Sequence, residues 1–324
     1  MPILFAGTSI ADVLPIAGTS QATTAIAWLP PSGFVAEGIT ATSTTAIFRA
    51  EFAAPATEFW ASCWVFSNTV SYTANTILLK FGSPSGGDEF ALRVPSSGLN
   101  VRFDYNNAGA WTQIAPAFAF DNSRCRIDLY YKRDAINGRL QLYRDGVLVF
   151  NFTGNTAWTA APALTRFDMG ATSGNGSTWS AIIVHTQDTR KLEFVQLRPN
   201  GDGAETAWIG DYTAVDETGY SDTDIIASNV AGQVETFLFP DLPSGYDTHS
   251  VTGVVLGMRA QGSGSPGEIR GVARIGGVDY EQAPVSPLQP AWGPHKVVFE
   301  NNPASSARWT QAQINAAEFG VKSV

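Results

Sequence analysis

Apolar and polar residues alternate in short bursts along most of this chain, and clusters of Gly, Pro, Asn and Ser separate the bursts. In the first part the bursts are "AIFRAEF" (46–52), "FWASCWVF" (59–66), "TILLKFG" (76–82), "EFALRV" (89–94), "LNVRFDY" (99–105), "RCRIDLYYK" (124–132), "LTRFDMGA" (164–171) and "WSAIIVH" (179–185). A period of two sends successive side chains to opposite faces, so each burst reads as a strand. "RLQLYRDGVLVFNFTG" (139–154) adds a turn signal, Asp145-Gly146, between Leu140, Leu142 and Val147, Val149. A type I′ turn needs positive φ at both central residues, which Asp-Gly tolerates, so the stretch predicts a β-hairpin. Antiparallel strands in this number predict one β-sandwich. Trp60, Trp64 and Phe66 share one apolar run and read as core, and "KLEFVQLRP" (191–199) reads as a last strand leading out.

A turn-dense linker, "PNGDGAETAW" (199–208), opens the second part. Candidate strands follow at "VETFLFPDL" (234–242), "SVTGVVLGMRAQ" (250–261), "EIRGVARIGG" (268–277) and "HKVVFEN" (295–301), with Gly276-Gly277 as a hairpin turn. Near the end, Thr310 caps a short helix carrying Ala312, Ile314, Ala317 and Phe319, and Gly320 ends it. The fold class expected is all-β: two β-sandwich (jelly-roll) domains, 1–198 and 199–324, and a short C-terminal helix.

Charge sharpens that boundary. Residues 1–198 carry 14 Lys+Arg and 14 Asp+Glu, whereas 199–324 carry 6 and 15, so the whole net charge of −9 lies in the second part. Neither part has a basic stripe, which argues against nucleic-acid binding. No span approaches the ~18 apolar residues of a membrane helix, so no membrane insertion is expected. The N-terminal text lacks the basic start and long apolar core of a signal peptide. Cys63 and Cys125 are too few for a disulfide framework; both read as buried thiols, with a single bridge left open.

Two resemblances are visible. "CRIDLYYKRDAINGRLQLYRDGVLV" resembles the late hairpin of concanavalin-like, laminin-G-like jelly rolls, and this likeness extends over 1–198. "RPNGDGAETAW", "YTAVDE", "DTDIIAS", "VTGVVLGMRA", "GGVDYE" and "FENNPASSARWTQAQINAAEFGVKS" together resemble the C-terminal domain of tailed-bacteriophage virion proteins of the minor tail and fibre-like kind. "LFAGTSI" is similar to the opening of phage tail-associated lectin-like chains. The resemblance implies a virion component, in head or tail, assembled in the host cytoplasm and released by lysis. It implies other virion proteins and further copies of this chain as partners, in a homo-oligomer guessed to be a trimer.

Catalytic chemistry is weakly represented. The E-x-D-x-E strand of glucanases on the concanavalin-like fold is missing, and Asp88-Glu89 and Asp216-Glu217 would point to opposite faces of a strand. The three histidines lie in no nucleophile context, so no enzyme activity is expected. "NGDGAE" (200–205) and "DETGYSDTD" (216–224) lack the spacing of a calcium loop and read as acidic turns; no metal or other cofactor is expected. Sugar binding fits better, because an amphipathic indole stacks on the apolar face of a sugar. Trp111 in "YNNAGAWTQ", Trp158 in "GNTAWTAAP" and Trp179 in "SGNGSTWS" lie in loop-like text and are the candidate glycan-binding residues; their other role would be to cap the sandwich ends. The expected function is a non-catalytic virion component that contacts host surface polysaccharide. A capsid decoration or cement protein, a polysaccharide-degrading enzyme and a secreted lectin are the competing readings.

Overall fold

The computed structural model describes residues 2–8, 12–17, 21–25, 37–41, 47–67, 72–83, 87–98, 100–120, 124–170, 177–217, 219–246, 249–262, 264–285 and 288–324. Among the described residues the chain is all-β apart from one short α-helix, and it forms two β-sandwiches. It divides into two compact units, Met1–Phe194 and Val195–Val324, against an expected boundary at 198/199.

Among the described residues the first unit holds sixteen strands: β1 (Ile3–Gly7), β2 (Leu14–Ala17), β3 (Gln21–Ala25), β4 (Glu37–Ala41), β5 (Ile47–Ala56), β6 (Glu58–Ser67), β7 (Ile77–Ser83), β8 (Gly87–Arg93), β9 (Asn100–Asn107), β10 (Ala110–Gln113), β11 (Phe118–Ala119), β12 (Cys125–Lys132), β13 (Gly138–Arg144), β14 (Val147–Gly154), β15 (Leu164–Gly170) and β16 (Ser177–His185). They make two antiparallel sheets. Sheet I runs β14-β13-β12-β6-β16-β4-β3, and β1 pairs with the far end of β16. Sheet II runs β10-β9-β8-β7-β15-β5-β2, with β11 also on β9. The β13–β14 hairpin turns at Asp145 (φ 47°) and Gly146 (φ 79°), as the type I′ reading requires.

Both sheets send alternate side chains into one core. Phe81 stacks between Phe90 and Phe167, with ring centroids 4.8 Å apart on each side, and Phe59 and Tyr131 meet this stack from sheet I. In β6 the inward residues are Phe59, Ala61, Cys63 and Val65. Trp60 and Trp64 therefore stand on the opposite face, half-exposed, which corrects the expectation that they are core. Cys63 and Cys125 are buried and not bridged to each other, and burial pushes the Cys63 thiol well up.

The outer face of sheet I is crossed by the chain that leaves β16. Residues 191–199 are no strand, a second correction. Instead Arg126 donates to the carbonyls of Thr189 and Leu192, Thr189 meets Ser62, and Arg190 lies over the rings of Trp60 (4.7 Å) and Tyr143 (4.5 Å). Asp128, buried beneath this segment, accepts from Ser62 and Arg126.

The second unit contains β17 (Gly201–Thr206), β18 (Val234–Leu238), β19 (Val254–Ala260), β20 (Ile269–Ile275), β21 (Val278–Glu281), β22 (Gly293–Phe299), α1 (Gln311–Asn315) and β23 (Glu318–Ser323). A five-stranded sheet, β17-β18-β23-β20-β21, faces the β19–β22 ribbon. Ala273, Val297, Phe299, Trp309, Ile314 and Phe319 fill the space between them. Thr310 caps α1 through a full capping box with Gln313. The helix stops at Asn315, however, and Phe319 and Gly320 belong to β23, the middle strand. Gly320 does not terminate a helix. It is glycine because a Cβ there would lie 1.9 Å from the Glu235 carbonyl oxygen.

Glu235 itself is buried on β18. Its Oε2 accepts from the Trp208 amide at 2.9 Å and its Oε1 has no partner. Burial, with Asp202 and Asp211 nearby, raises its pKa above the ordinary glutamate value. A raised acid favours the fold while protonated, and that contribution is lost as pH rises from the unfolded pKa through the folded one. Glu235→Gln is therefore expected to raise the melting temperature at pH 7 and to leave it near wild type at pH 4, read by calorimetry. Gly320→Ala is expected to cost about 3 kcal/mol through overpacking, measured by urea unfolding of the full chain.

Candidate functional site

The outer face of sheet II carries a dense set of charged side chains. In β9 the core takes Val101 and Phe103, which leaves Arg102 and Asp104 on the outer face. Register then sets Arg93 of β8 opposite Arg102, and Gln113 of β10 opposite Asp104. Farther along, Lys80 of β7 lies opposite Asp168 of β15, which lies opposite Arg49 of β5.

These groups form a lattice of ion pairs. Asp104 is fully buried and accepts from Arg93 Nη1 at 2.8 Å and from Arg102 Nε at 2.7 Å. Asp168, equally buried, takes a two-pronged contact from Arg49, Nε at 2.8 Å and Nη2 at 3.0 Å. This contact raises the pKa of Arg49. Asp88 accepts from Arg166 at 2.9 Å and Lys80 at 3.1 Å. A carboxylate withdrawn from water is tolerable only with such partners.

Trp111 lies at the β10 edge of the same face. It is a strand residue rather than a loop residue, paired with Asn106 across the hairpin formed by Ala108 (φ 52°) and Gly109 (φ 95°). The Arg93 guanidinium lies 5.4 Å from its ring centroid. Beside it are the Gln113 amide, which accepts from Arg102 Nη1 at 3.1 Å, and Asn75, which accepts from Arg93 Nη2 at 3.4 Å. The arrangement offers an aromatic plate, planar cationic forks and neutral amides within one strand edge. Such a set suits the apolar face, hydroxyls and charged substituents of a sugar.

The other two tryptophans are placed differently. Trp179 is 1% exposed, sits in β16 and belongs to the core, where its indole N–H donates to Ser177 Oγ at 3.1 Å. It is neither in a loop nor open to a ligand. Trp158 does lie in a loop, but half-buried against the core, stacked on Tyr105 at 5.4 Å. A bulge in β8 aims the buried Glu89 carboxylate at this loop, where it accepts from the amides of Trp158 (2.8 Å) and Thr159 (3.4 Å). Arg133 Nε is 3.5 Å from the same carboxylate. The three tryptophans therefore do not share a surface.

The arginine–carboxylate lattice is the part that the sequence reading missed. Its signal is an Arg followed two residues later by an acid inside strand text, "FRAEF" at 49–51, "VRFDY" at 102–104 and "TRFDM" at 166–168, and the same spacing recurs on sheet I in "CRIDL" at 126–128. That spacing places both charges on one face, away from the core. Among the described residues no three His, Cys, Asp or Glu side chains are grouped to hold a metal ion.

No family model and no curated protein sequence matches the chain. Solved structures of similar architecture include a carbohydrate-binding module from Bacillus subtilis (13% identity, 57% of this chain and 99% of that chain, TM-score 0.37). The globular domain of T. cruzi calreticulin is similar at 8% identity over 57% of this chain and 89% of its own, TM-score 0.43. A Caenorhabditis elegans galectin is similar at 9% identity over 42% and 89%, TM-score 0.30. At these identities and TM-scores no ligand or activity passes from them to this chain.

Removing the Glu89 carboxylate leaves Arg133 without its counter-charge and the Trp158 loop without its anchor. Glu89→Ala is expected to cost about 3–5 kcal/mol in urea unfolding, with loss of the near-ultraviolet signal of the Tyr105–Trp158 stack. Glu89→Gln, which keeps an acceptor, is expected to cost less.

Proposed function

We propose that this chain is a non-catalytic, glycan-binding component of a tailed-phage or phage-like virion, and that sheet II of the first unit carries the binding face. The observation behind the binding reading is Trp111 beside Arg93, Arg102 and Gln113 on one outward sheet face. The non-catalytic reading draws on the same lattice. Its carboxylates each lie in ion pairs with Arg or Lys, an arrangement that suits positioning better than acid–base work. The virion assignment draws on the resemblance of 199–324 to phage virion domains, with other virion proteins and further copies of the chain, in a trimer, as partners. Many copies on one particle would offset weak single-site affinity through effective concentration.

Immunogold electron microscopy of intact particles, with antibody against this chain, tests the virion reading. Label on head or tail is expected; protein found only in the medium would overturn it in favour of a secreted lectin. Binding to host envelope, competed by soluble host polysaccharide, tests the other half. Trp111→Ala is expected to weaken that binding about tenfold, or about 1.4 kcal/mol. Binding to no envelope component, with particles falling apart on deletion, would favour a cement protein.

A further inference from the structure

We propose that the Trp111 end of the sheet II face takes an acidic glycan, with a sugar ring against the indole and a carboxylate or sulfate on the guanidinium forks of Arg93 and Arg102. This rests on the glycan-binding reading above and adds the charge class of the ligand.

The inference comes from matching donors to acceptors. Each guanidinium brings five N–H donors, and Asp104 is the one carboxylate that Arg93 and Arg102 share. Arg93 uses Nη1 on Asp104 and Nη2 on the Asn75 amide. Arg102 uses Nε and Nη2 on Asp104 and Nη1 on Gln113. The pair keeps N–H groups in excess of these acceptors, and one positive charge in excess of Asp104. A ligand carboxylate or sulfate supplies both what the forks lack and the charge that balances them.

The excess is local. Farther across the sheet, Arg49, Lys80 and Arg166 are set against Asp88, Asp168 and the exposed Glu51, which balances. Among the described residues the uncompensated charge therefore lies at the Trp111 edge. The side chains of Arg93 and Arg102 are only 12% and 25% exposed, so their hydration is already reduced before any ligand arrives. From β9 to β5 the face crosses four strand spacings, about 19 Å, which suits an oligosaccharide better than a single sugar. The chain as a whole carries −9, so long-range attraction would not bring an acidic polymer to it. Binding would have to come from the local site.

The test measures the full chain by biolayer interferometry on four immobilised polymers: polygalacturonate, its methyl ester, dextran sulfate and dextran. The methyl ester keeps the backbone and removes the charge, so this comparison needs no variant. Binding to polygalacturonate about tenfold or more tighter than to its ester is expected, weakening as salt is raised. Binding to dextran sulfate alone would support the same anion chemistry with sulfate as its source. Arg93→Gln and Arg102→Gln, made singly so that Asp104 keeps one cation, are each expected to lose about tenfold on the acidic polymer. Equal binding to charged and neutral polymers, unchanged in the arginine variants, would overturn the acidic-glycan inference and leave glycan binding standing. Binding to none of the four would overturn both.

Discussion

A two-sheet sandwich has one inside, and each strand must give it every second side chain. That constraint determines which residues are left for anything else. In the first unit the Phe59–Phe81–Phe90–Phe167 cluster claims the inward positions of β6, β7, β8 and β15. The residues between them have no choice but to face out, and the two outer faces are used in different ways. Sheet I is partly covered by its own chain, which buries Ser62, Asp128 and Thr189. Sheet II presents an ordered lattice of charges with a tryptophan at its edge.

The lattice also restrains its own geometry. A fully buried Asp104 or Asp168 cannot lose its arginines without leaving an unpaired carboxylate withdrawn from water on the outer face, which is far less stable than the paired state. The arginines are thereby fixed in place, and a fixed guanidinium loses less freedom on meeting a ligand than a mobile one. Stability and pre-arrangement for binding come from the same contacts.

What could be read from the sequence followed from how strongly each segment marked its own period. The hairpin at 139–154 carried both alternation and Asp-Gly, and it is where it was expected. Thr310 announces the helix start through its side-chain chemistry, and Gln313 completes the capping box. The helix end was misplaced because Ala317 and Phe319 continue the apolar spacing into β23 without a break. β1–β4 are hard to read from sequence because "ILFAG" and "LPIA" are apolar without alternation and "QATTA" and "EGITA" are short and rich in small residues. Trp60 reads as inward because it sits in an apolar run, although Glu58 and Ser62, two residues away on either side, mark its face as the polar one. Trp179 stands where the loop-like Ser, Asn and Gly text meets the strand burst at 179–185, and the strand prevails, since β16 begins two residues earlier, at Ser177. The Asn, Gly and Ala before Trp111 suggest a loop, whereas it lies in β10, and only strand register brings Arg93 of β8 to its ring and Arg102 of β9 to the neighbouring Gln113.

The chain that leaves β16 also governs how the first unit bears mechanical load. Tension entering at Val195 meets Leu192 and Thr189 before it reaches His185, and both are tied to Arg126 through their carbonyls. Hydrogen bonds from a charged donor of this kind contribute about 1.5–3 kcal/mol each. A pull at Val195 therefore loads these two contacts and the Arg190 stacking before it loads the hydrogen bonds of β16.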